Sequence, residues 1–112
     1  MYSSEFMFLK TQYSAEYCSR RLKAIADPTR WSVLLQLMNG SNTVGELNIA
    51  LGLDLTLLSH HLRTLRDEGF VESVVEGKSR RYLLSEKVKL DADGRGLDLG
   101  CCRISLKDGT HA

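Results

Sequence analysis

The fold is decided by residues 43–63, which read TVGELNIALGLDLTLLSHHLR. Thr43 and Glu46 have the spacing of a capping box, which starts a helix by satisfying its first backbone N–H groups. Gly52 ends that helix, and Asp54 can cap a second one. In this second helix, leucines recur at i, i+4 and i+7, namely Leu58, Leu62 and Leu65. Two short helices joined by a tight turn predict a helix-turn-helix, which presents one helix to the major groove of DNA.

A basic β-hairpin is predicted directly after this motif. Residues 71–76 and 80–84 are rich in β-branched or aromatic side chains, and a three-residue loop, 77–79, is expected between them. Upstream, the pattern predicts helices from about residue 14 to 26 and from Pro28 to about 38, the second capped by Asp27. The fold class is therefore mainly α with a β-hairpin wing (α+β), a winged helix-turn-helix.

The 112 residues suit one domain with two appendages. We expect an N-terminal arm at residues 1–12, the winged domain at 13–90 and a cysteine-bearing sensing tail at 91–112. Residues 85–90 predict one or two helical turns, residues 91–96 a polar linker, and residues 97–106 a short strand or extended segment.

Composition restricts the function classes. The formal net charge is +1, so any DNA-binding face must be local, with acidic residues elsewhere. No apolar run approaches the length of a membrane span, and the first residues lack the pattern of a secretory signal. We therefore expect a cytoplasmic protein without a membrane partner, whose three cysteines are thiols rather than a disulfide framework.

The second helix of the motif supplies the candidate reading residues. Its face opposite the leucines carries Thr56, Ser59, His60 and Arg63, which can bond bases or phosphates. The simpler alternative is the solvated face of an amphipathic helix. Leu55 and Leu57 stand near its start; they can pack on the preceding helix or touch thymine methyl groups, and the core is the expected place for at least one.

The hairpin tip carries three cations, Lys78, Arg80 and Arg81. Such a tip can lie along phosphates, although an ordinary charged turn that keeps an edge strand soluble is the alternative. Arg30 is a further candidate for phosphate contact. Of the adjacent histidines, His60 is expected to meet DNA and His61 to pack or bond locally.

These motifs resemble a known family. Asp27-Pro-Thr-Arg, then Val44-Gly-Glu-Leu, then residues 58–71, LSHHLRTLRDEGFV, resemble the ArsR/SmtB family of bacterial winged-helix repressors. The resemblance covers about residues 20–84. It implies a homodimer, with the N-terminal helix as interface, that places two recognition helices on an inverted-repeat operator. It also implies release of the operator when an inducer, often a metal ion or metalloid, binds.

The cysteines are the second chemical signal. Soft thiolates select thiophilic ions. Trivalent arsenic or antimony takes three thiolates, and the chain offers three cysteines: Cys18, Cys101 and Cys102. Some members of the resembled family place a Cys-Cys pair near the C-terminus for arsenite sensing. Tetrahedral zinc would need a fourth ligand, such as His111, Asp98 or water.

Other readings of the cysteines remain. Cys18 can be a small buried hydrophobe. Adjacent cysteines in a strand would point to opposite faces, and they form a poor disulfide with each other. An oxidation switch between Cys18 and one of the pair is a further alternative.

The leading hypothesis is a dimeric repressor released by As(III) or Sb(III), with no permanent cofactor. The alternative is the same repressor switched by cysteine oxidation or persulfidation. A thiol enzyme such as an arsenate reductase is disfavoured, since Lys107 and Asp108 stand where a phosphatase-like loop needs Arg. A DNA-independent interaction module would dimerise without salt-sensitive DNA binding.

Overall fold

The computed structural model describes residues 14–89 and 96–105. Within these ranges, helices and strands follow one another as α1 (Ala15–Ile25), α2 (Pro28–Met38), β1 (Asn42–Thr43), α3 (Val44–Leu51), α4 (Leu55–Asp67), β2 (Val71–Glu76), β3 (Ser79–Leu84), a 3-10 turn (Glu86–Val88), β4 (Gly96–Asp98) and β5 (Arg103–Ser105). This order confirms the predicted winged helix-turn-helix. None of the described helices is long and apolar enough to cross a membrane.

The helix-turn-helix has the predicted caps. Thr43 Oγ1 accepts from the Glu46 N–H at 3.1 Å, and Glu46 Oε1 accepts from the Thr43 N–H at 2.8 Å. Gly52 ends α3 in the left-handed region, at φ 63° and ψ 36°. Asp54 Oδ2 then accepts from the Leu57 N–H at 3.1 Å and starts α4. These local bonds set the tight turn between α3 and α4.

The wing is an antiparallel pair, β2 with β3, whose register runs from Val71 opposite Leu84 to Glu76 opposite Ser79. The predicted three-residue loop was wrong, because Ser79 belongs to β3 and the turn consists of Gly77 and Lys78. Gly77 takes φ 62°, which L side chains seldom adopt. The two-residue strand β1 adds to the far edge of β3; it is too short to carry a sequence pattern.

The C-terminal segment is a second hairpin, β4 with β5, rather than the short strand or extended segment expected at residues 97–106. The chain reverses after Asp98, where the Leu99 N–H donates to the Cys102 carbonyl at 2.8 Å and Gly100 takes φ 92°. The reversal places Cys101 and Cys102 in a turn instead of in a strand.

One apolar core joins the winged domain and this hairpin. The side chains of α4 that face it are those predicted, Leu58, Leu62 and Leu65, each fully buried. Leu97 and Leu99 of the C-terminal hairpin are fully buried in the same cluster. The residues proposed as a tail therefore include part of the core, while residues 1–12 and 90–95 lie outside the described residues and the domain boundaries stay predictions.

Candidate nucleic-acid interface and thiol pair

The outward face of α4 and the wing enclose a groove of about 340 Å³. Its lining contains all four predicted reading residues and two more: Thr56, Ser59, His60, Arg63, Arg66 and Tyr82. Helical spacing explains the first group, because these positions lie opposite the buried leucines of α4. The fold therefore gathers the candidate base-reading side chains on one concave surface.

A second groove of about 370 Å³ continues the first toward the wing tip. It shares Ser59 and Tyr82 with the first groove, and its lining includes Lys78 and Arg80. We call the two together the α4–wing groove. Among the described residues that line it, four are Lys or Arg and none is acidic. A chain of net charge +1 thus concentrates positive charge where a polyanion would lie.

Arg81 does not line this groove. On a strand, successive side chains point to opposite faces, so Arg81 points away from Arg80 and Tyr82. Its Nε and Nη2 donate to the Glu76 carboxylate at 2.6 and 3.0 Å, and Glu46 lies 3.6 Å away. These bonds raise the pKa of Arg81 and lower that of Glu76. The guanidinium is engaged in bracing the wing.

Arg30 is likewise engaged within the protein. Its Nε donates to the Ala24 carbonyl at 2.5 Å, and its Nη1 lies 3.0 Å from His61 Nδ1. His61 is 7% exposed, which confirms that it packs locally, whereas His60 is exposed. Because a guanidinium can donate but not accept, Nδ1 of His61 must accept, and the ring is neutral with its proton on Nε2.

This environment predicts a pH dependence of stability. Burial lowers the pKa of His61 below its ordinary 6.5, Arg30 and His60 lower it further, and Asp27 opposes the shift. As pH falls below about 6.5, His61 therefore takes up a proton more readily in the unfolded chain than in the folded protein. The stabilising contribution of neutral His61 is complete above that pH and is lost as pH falls through the pKa of His61 in the folded protein. We expect the free energy of unfolding to fall between about pH 7.5 and about pH 5.5 in urea titrations.

The matched control is His61→Asn, which keeps an acceptor near the Nδ1 position and does not titrate. Its stability should depend less steeply on pH over the same range. The pKa of Asp27 is lowered from 3.8, chiefly by the backbone N–H of Arg30, so its protonation lies below this window. Equal slopes for the variant and the wild type would contradict the assignment to His61.

Leu55 and Leu57 lie at the surface, contrary to expectation. They are 53% and 44% exposed, so the prediction that at least one joins the core was wrong. The buried stripe of α4 begins at Leu58, and the two leucines fall on the flanks of the helix, on either side of its reading face. Their exposure keeps contact with thymine methyl groups as a prediction.

In the first of the two grooves, two lining residues, Arg66 and Tyr82, were not predicted from the sequence. Arg66 lies seven positions after Ser59 and three after Arg63, so helical spacing alone could have found it. Tyr82 is 8% exposed and sits on the face of β3 that looks toward α4. No local pattern points to Tyr82, because its place depends on how the wing packs.

Cys18 and Cys101 are brought together by the fold. They lie 83 positions apart, in α1 and in the β4–β5 turn, and are joined as a disulfide with a Cα–Cα distance of 6.1 Å. This distance is within the usual range for disulfides. In this structure the two cysteines are therefore not the free thiols that were expected, and their pairing is the one that an oxidation switch between Cys18 and one of the adjacent cysteines requires. Cys102 is free and exposed.

The structure thus places the three candidate metal ligands unequally. Among residues 14–89 and 96–105, no three His, Cys, Asp or Glu side chains are grouped so that they could hold a metal ion. Asp98, named as a further zinc ligand, instead accepts from the Gly100 N–H at 2.8 Å. His111 lies outside the described residues. A three-cysteine site stays a prediction.

Comparison with known proteins places these features in a family. Residues 27–73 match the bacterial regulatory proteins of the arsR family. CmtR of Mycobacterium tuberculosis is 41% identical over 64 residues, 57% of this chain and 54% of CmtR, so the chain spans about half the length of that relative. YgaV of Escherichia coli is 38% identical over 77 residues, 68% of this chain and 76% of YgaV.

A solved structure agrees with these matches. Reduced HlyU from Vibrio cholerae has a TM-score of 0.63 and 33% identity, over 68% of this chain and 80% of HlyU. The fold and the groove define a winged helix-turn-helix protein. The chain belongs to the ArsR family of bacterial regulatory proteins. CmtR and YgaV are both named as HTH-type transcriptional regulators, a class of protein distinct from enzymes.

Proposed function

We propose that this chain is a homodimeric, DNA-binding transcriptional repressor whose operator affinity is switched by the oxidation of Cys18 and Cys101. One observation carries the proposal: two cysteines from opposite ends of the chain meet at a Cα–Cα distance of 6.1 Å, outside the cationic groove. The proposal is further supported by a solved relative that is described as reduced HlyU. A dithiol switch suits the reducing cytoplasm, where the resting state is the free thiol pair.

The proposed DNA contacts follow from the groove. Arg63, with Thr56, Ser59 and His60, reads base edges from α4 in the major groove. Lys78 and Arg80 on the wing, with Arg66, contact phosphates and supply salt-dependent affinity. Arg81 supports the wing instead of contacting DNA, because Glu76 already holds its guanidinium. A homodimer would place two such grooves on an inverted repeat, which light scattering of the free and DNA-bound protein tests.

The switching step is balanced with a peroxide as oxidant. The S–H bonds of Cys18 and Cys101 break, an S–S bond forms, and hydrogen peroxide takes the two electrons and two protons and leaves as two waters. A dithiol reductant reverses the step by thiol–disulfide exchange. For this chemistry to control transcription, the disulfide form must have the lower affinity for operator DNA.

A second candidate is release by As(III) or Sb(III), or by another thiophilic ion. Its support is that Cys102 follows Cys101 directly, so that a small change in the β4–β5 turn could add a third thiolate to the pair. Such a site would have to form on binding, since the described residues hold no preassembled group of three ligands. In both candidates Cys18 and Cys101 are required, and the role of Cys102 separates them.

The test is fluorescence anisotropy on a duplex from upstream of the chain's own gene, with the reduced protein titrated with hydrogen peroxide and, separately, with arsenite. We expect peroxide to release the wild type and a dithiol reductant to restore binding. Cys18→Ser and Cys101→Ser should bind the duplex but no longer respond. Cys102→Ser is the matched control, and it should respond to peroxide like the wild type.

Three results would change the conclusion. Release by arsenite that Cys102→Ser abolishes would establish the metalloid candidate in place of the disulfide. Normal peroxide responses of Cys18→Ser and Cys101→Ser would overturn the thiol pair as the switch. Absence of salt-sensitive binding to any duplex would overturn the DNA-binding role itself.

A further inference from the structure

One side chain of α1 connects the thiol-bearing hairpin to the end of the recognition helix. Arg21 lies three residues after Cys18, so the two share a face of α1. Its Nε donates to the Leu99 carbonyl at 3.0 Å, in the turn that also carries Cys101. Its Nη1 donates to the Glu68 carbonyl at 2.5 Å, where α4 ends.

The α4 end of this bridge is suited to a cation. The last carbonyls of a helix lack partners within the helix and carry the negative end of its dipole. The Arg21 guanidinium binds the Glu68 carbonyl there and lies 4.5 Å from the centroid of the Phe70 ring. Phe70 is fully buried and lies three residues after the last residue of α4, so the contact holds Arg21 against the core.

The hairpin end of the bridge is equally well anchored. Leu99 is fully buried, and its N–H donates to the Cys102 carbonyl, which closes the turn around Cys101. A change in the bond between Cys18 and Cys101 therefore acts on a turn whose Leu99 carbonyl is already held by Arg21. The same guanidinium holds the end of α4, and five residues of this helix line the α4–wing groove.

From this arrangement we propose that Arg21 is the positioning residue that couples the thiol state of Cys18 and Cys101 to the placement of α4 on DNA. The inference rests on the proposed disulfide switch. Joining the two thiols holds the β4–β5 turn on α1, and Arg21 transmits the position of that turn to the Glu68 carbonyl. Coupling is reciprocal, so operator DNA must shift the thiol–disulfide equilibrium by the same factor as the disulfide shifts DNA affinity.

The measured quantity is the DNA dissociation constant of the disulfide form divided by that of the reduced form. The experiment compares this ratio between the wild type and Arg21→Gln. In the wild type we expect a ratio of about 5 to 150, the usual range of allosteric coupling. In Arg21→Gln the disulfide should still form and the reduced protein should still bind, but the ratio should fall close to one. The shift of the thiol–disulfide midpoint by DNA should disappear with it.

Arg20→Gln is the matched control. Arg20 is the neighbouring cation on α1 and contacts the Glu68 side chain at 3.0 Å, with no described contact to the hairpin. Arg20→Gln removes the same charge as Arg21→Gln, and it should keep the wild-type ratio of dissociation constants. Arg21→Lys retains the positive charge but cannot donate to two carbonyls in the fixed geometry of a guanidinium. It is the fallback variant if Arg21→Gln fails to fold, and its ratio should be lower than that of the wild type.

The outcomes separate the coupling from the switch. A wild-type ratio of one overturns both the disulfide switch and the role of Arg21. A wild-type ratio that persists in Arg21→Gln, or in Arg21→Lys if the glutamine variant is unfolded, overturns the coupling and leaves the switch standing. Loss of the ratio in Arg20→Gln as well would show a general charge effect and would also overturn it.

Discussion

Arg63→Ala is expected to weaken binding to a selected operator duplex by about 5- to 150-fold, corresponding to about 1–3 kcal/mol for a lost base contact. Arg63 is exposed on the face of α4 opposite the buried leucines and lines the same groove as Thr56, Ser59 and His60. The duplex is obtained by selection with the reduced wild type from a randomised library, and affinity is measured by anisotropy at several salt concentrations.

Salt dependence distinguishes the kinds of contact. If Arg63 reads a base, Arg63→Ala lowers affinity with little change in the salt slope and relaxes the selected sequence at one position. Lys78→Ala, at the wing tip, should instead reduce the slope by about one while keeping the sequence preference. Arg103→Ala is the control, because it removes the same charge from β5, outside the groove. Equal losses in Arg63→Ala and Arg103→Ala would show a net-charge effect and contradict the reading role.

Local sequence signals predicted the helix-turn-helix and the composition of the outward face of α4 well. The caps at Thr43, Glu46 and Asp54 involve residues at most three apart, so their bonds follow directly from spacing. The candidate reading face can also be predicted from α4 alone, because its four predicted residues lie on the side of the helix opposite the buried leucines. For this reason the structure gathers them as expected.

Long-range pairings explain what the sequence could not predict. Arg81 is a local case, because alternation within the predicted strand 80–84 already points it away from Arg80, and Glu76, five residues before it, then holds its guanidinium. The contact of Cys18 with Cys101 spans 83 positions and depends on the C-terminal hairpin folding back on α1. Periodicity within one element carries no information about such a contact.

The thiol pair and the α4–wing groove therefore belong to one packed unit, and the hairpin that carries Cys101 is not a loosely attached segment. The β4–β5 turn that carries Cys101 follows Leu97 and contains Leu99, and both are fully buried in the apolar cluster that also contains the leucines of α4. Because protein interiors are close-packed, displacement of this hairpin disturbs a core that also contains the buried side of α4. The shared core keeps the hairpin folded against the domain, as the Arg21 contacts with the Leu99 and Glu68 carbonyls require.

Leu97→Ala tests this unity and should destabilise the reduced protein by about 2–5 kcal/mol, the usual cost of emptying a fully buried leucine site. Leu97 is 0% exposed although it lies beyond residue 91, in the region predicted as a separate tail. The measurement is urea unfolding with a reductant present, followed by far-ultraviolet circular dichroism, so that the disulfide makes no contribution.

Leu35→Ala is the matched control for this truncation. Leu35 belongs to α2 of the winged domain but is 40% exposed, so its truncation should cost about 0.5 kcal/mol or less. Because burial decides the cost, Leu97→Ala in the predicted tail should lower the free energy of unfolding far more than Leu35→Ala in the winged domain. If Leu97→Ala were as mild as Leu35→Ala, residues 91–112 would behave as a separable tail, and the core would not hold the hairpin in place for its contact with Arg21.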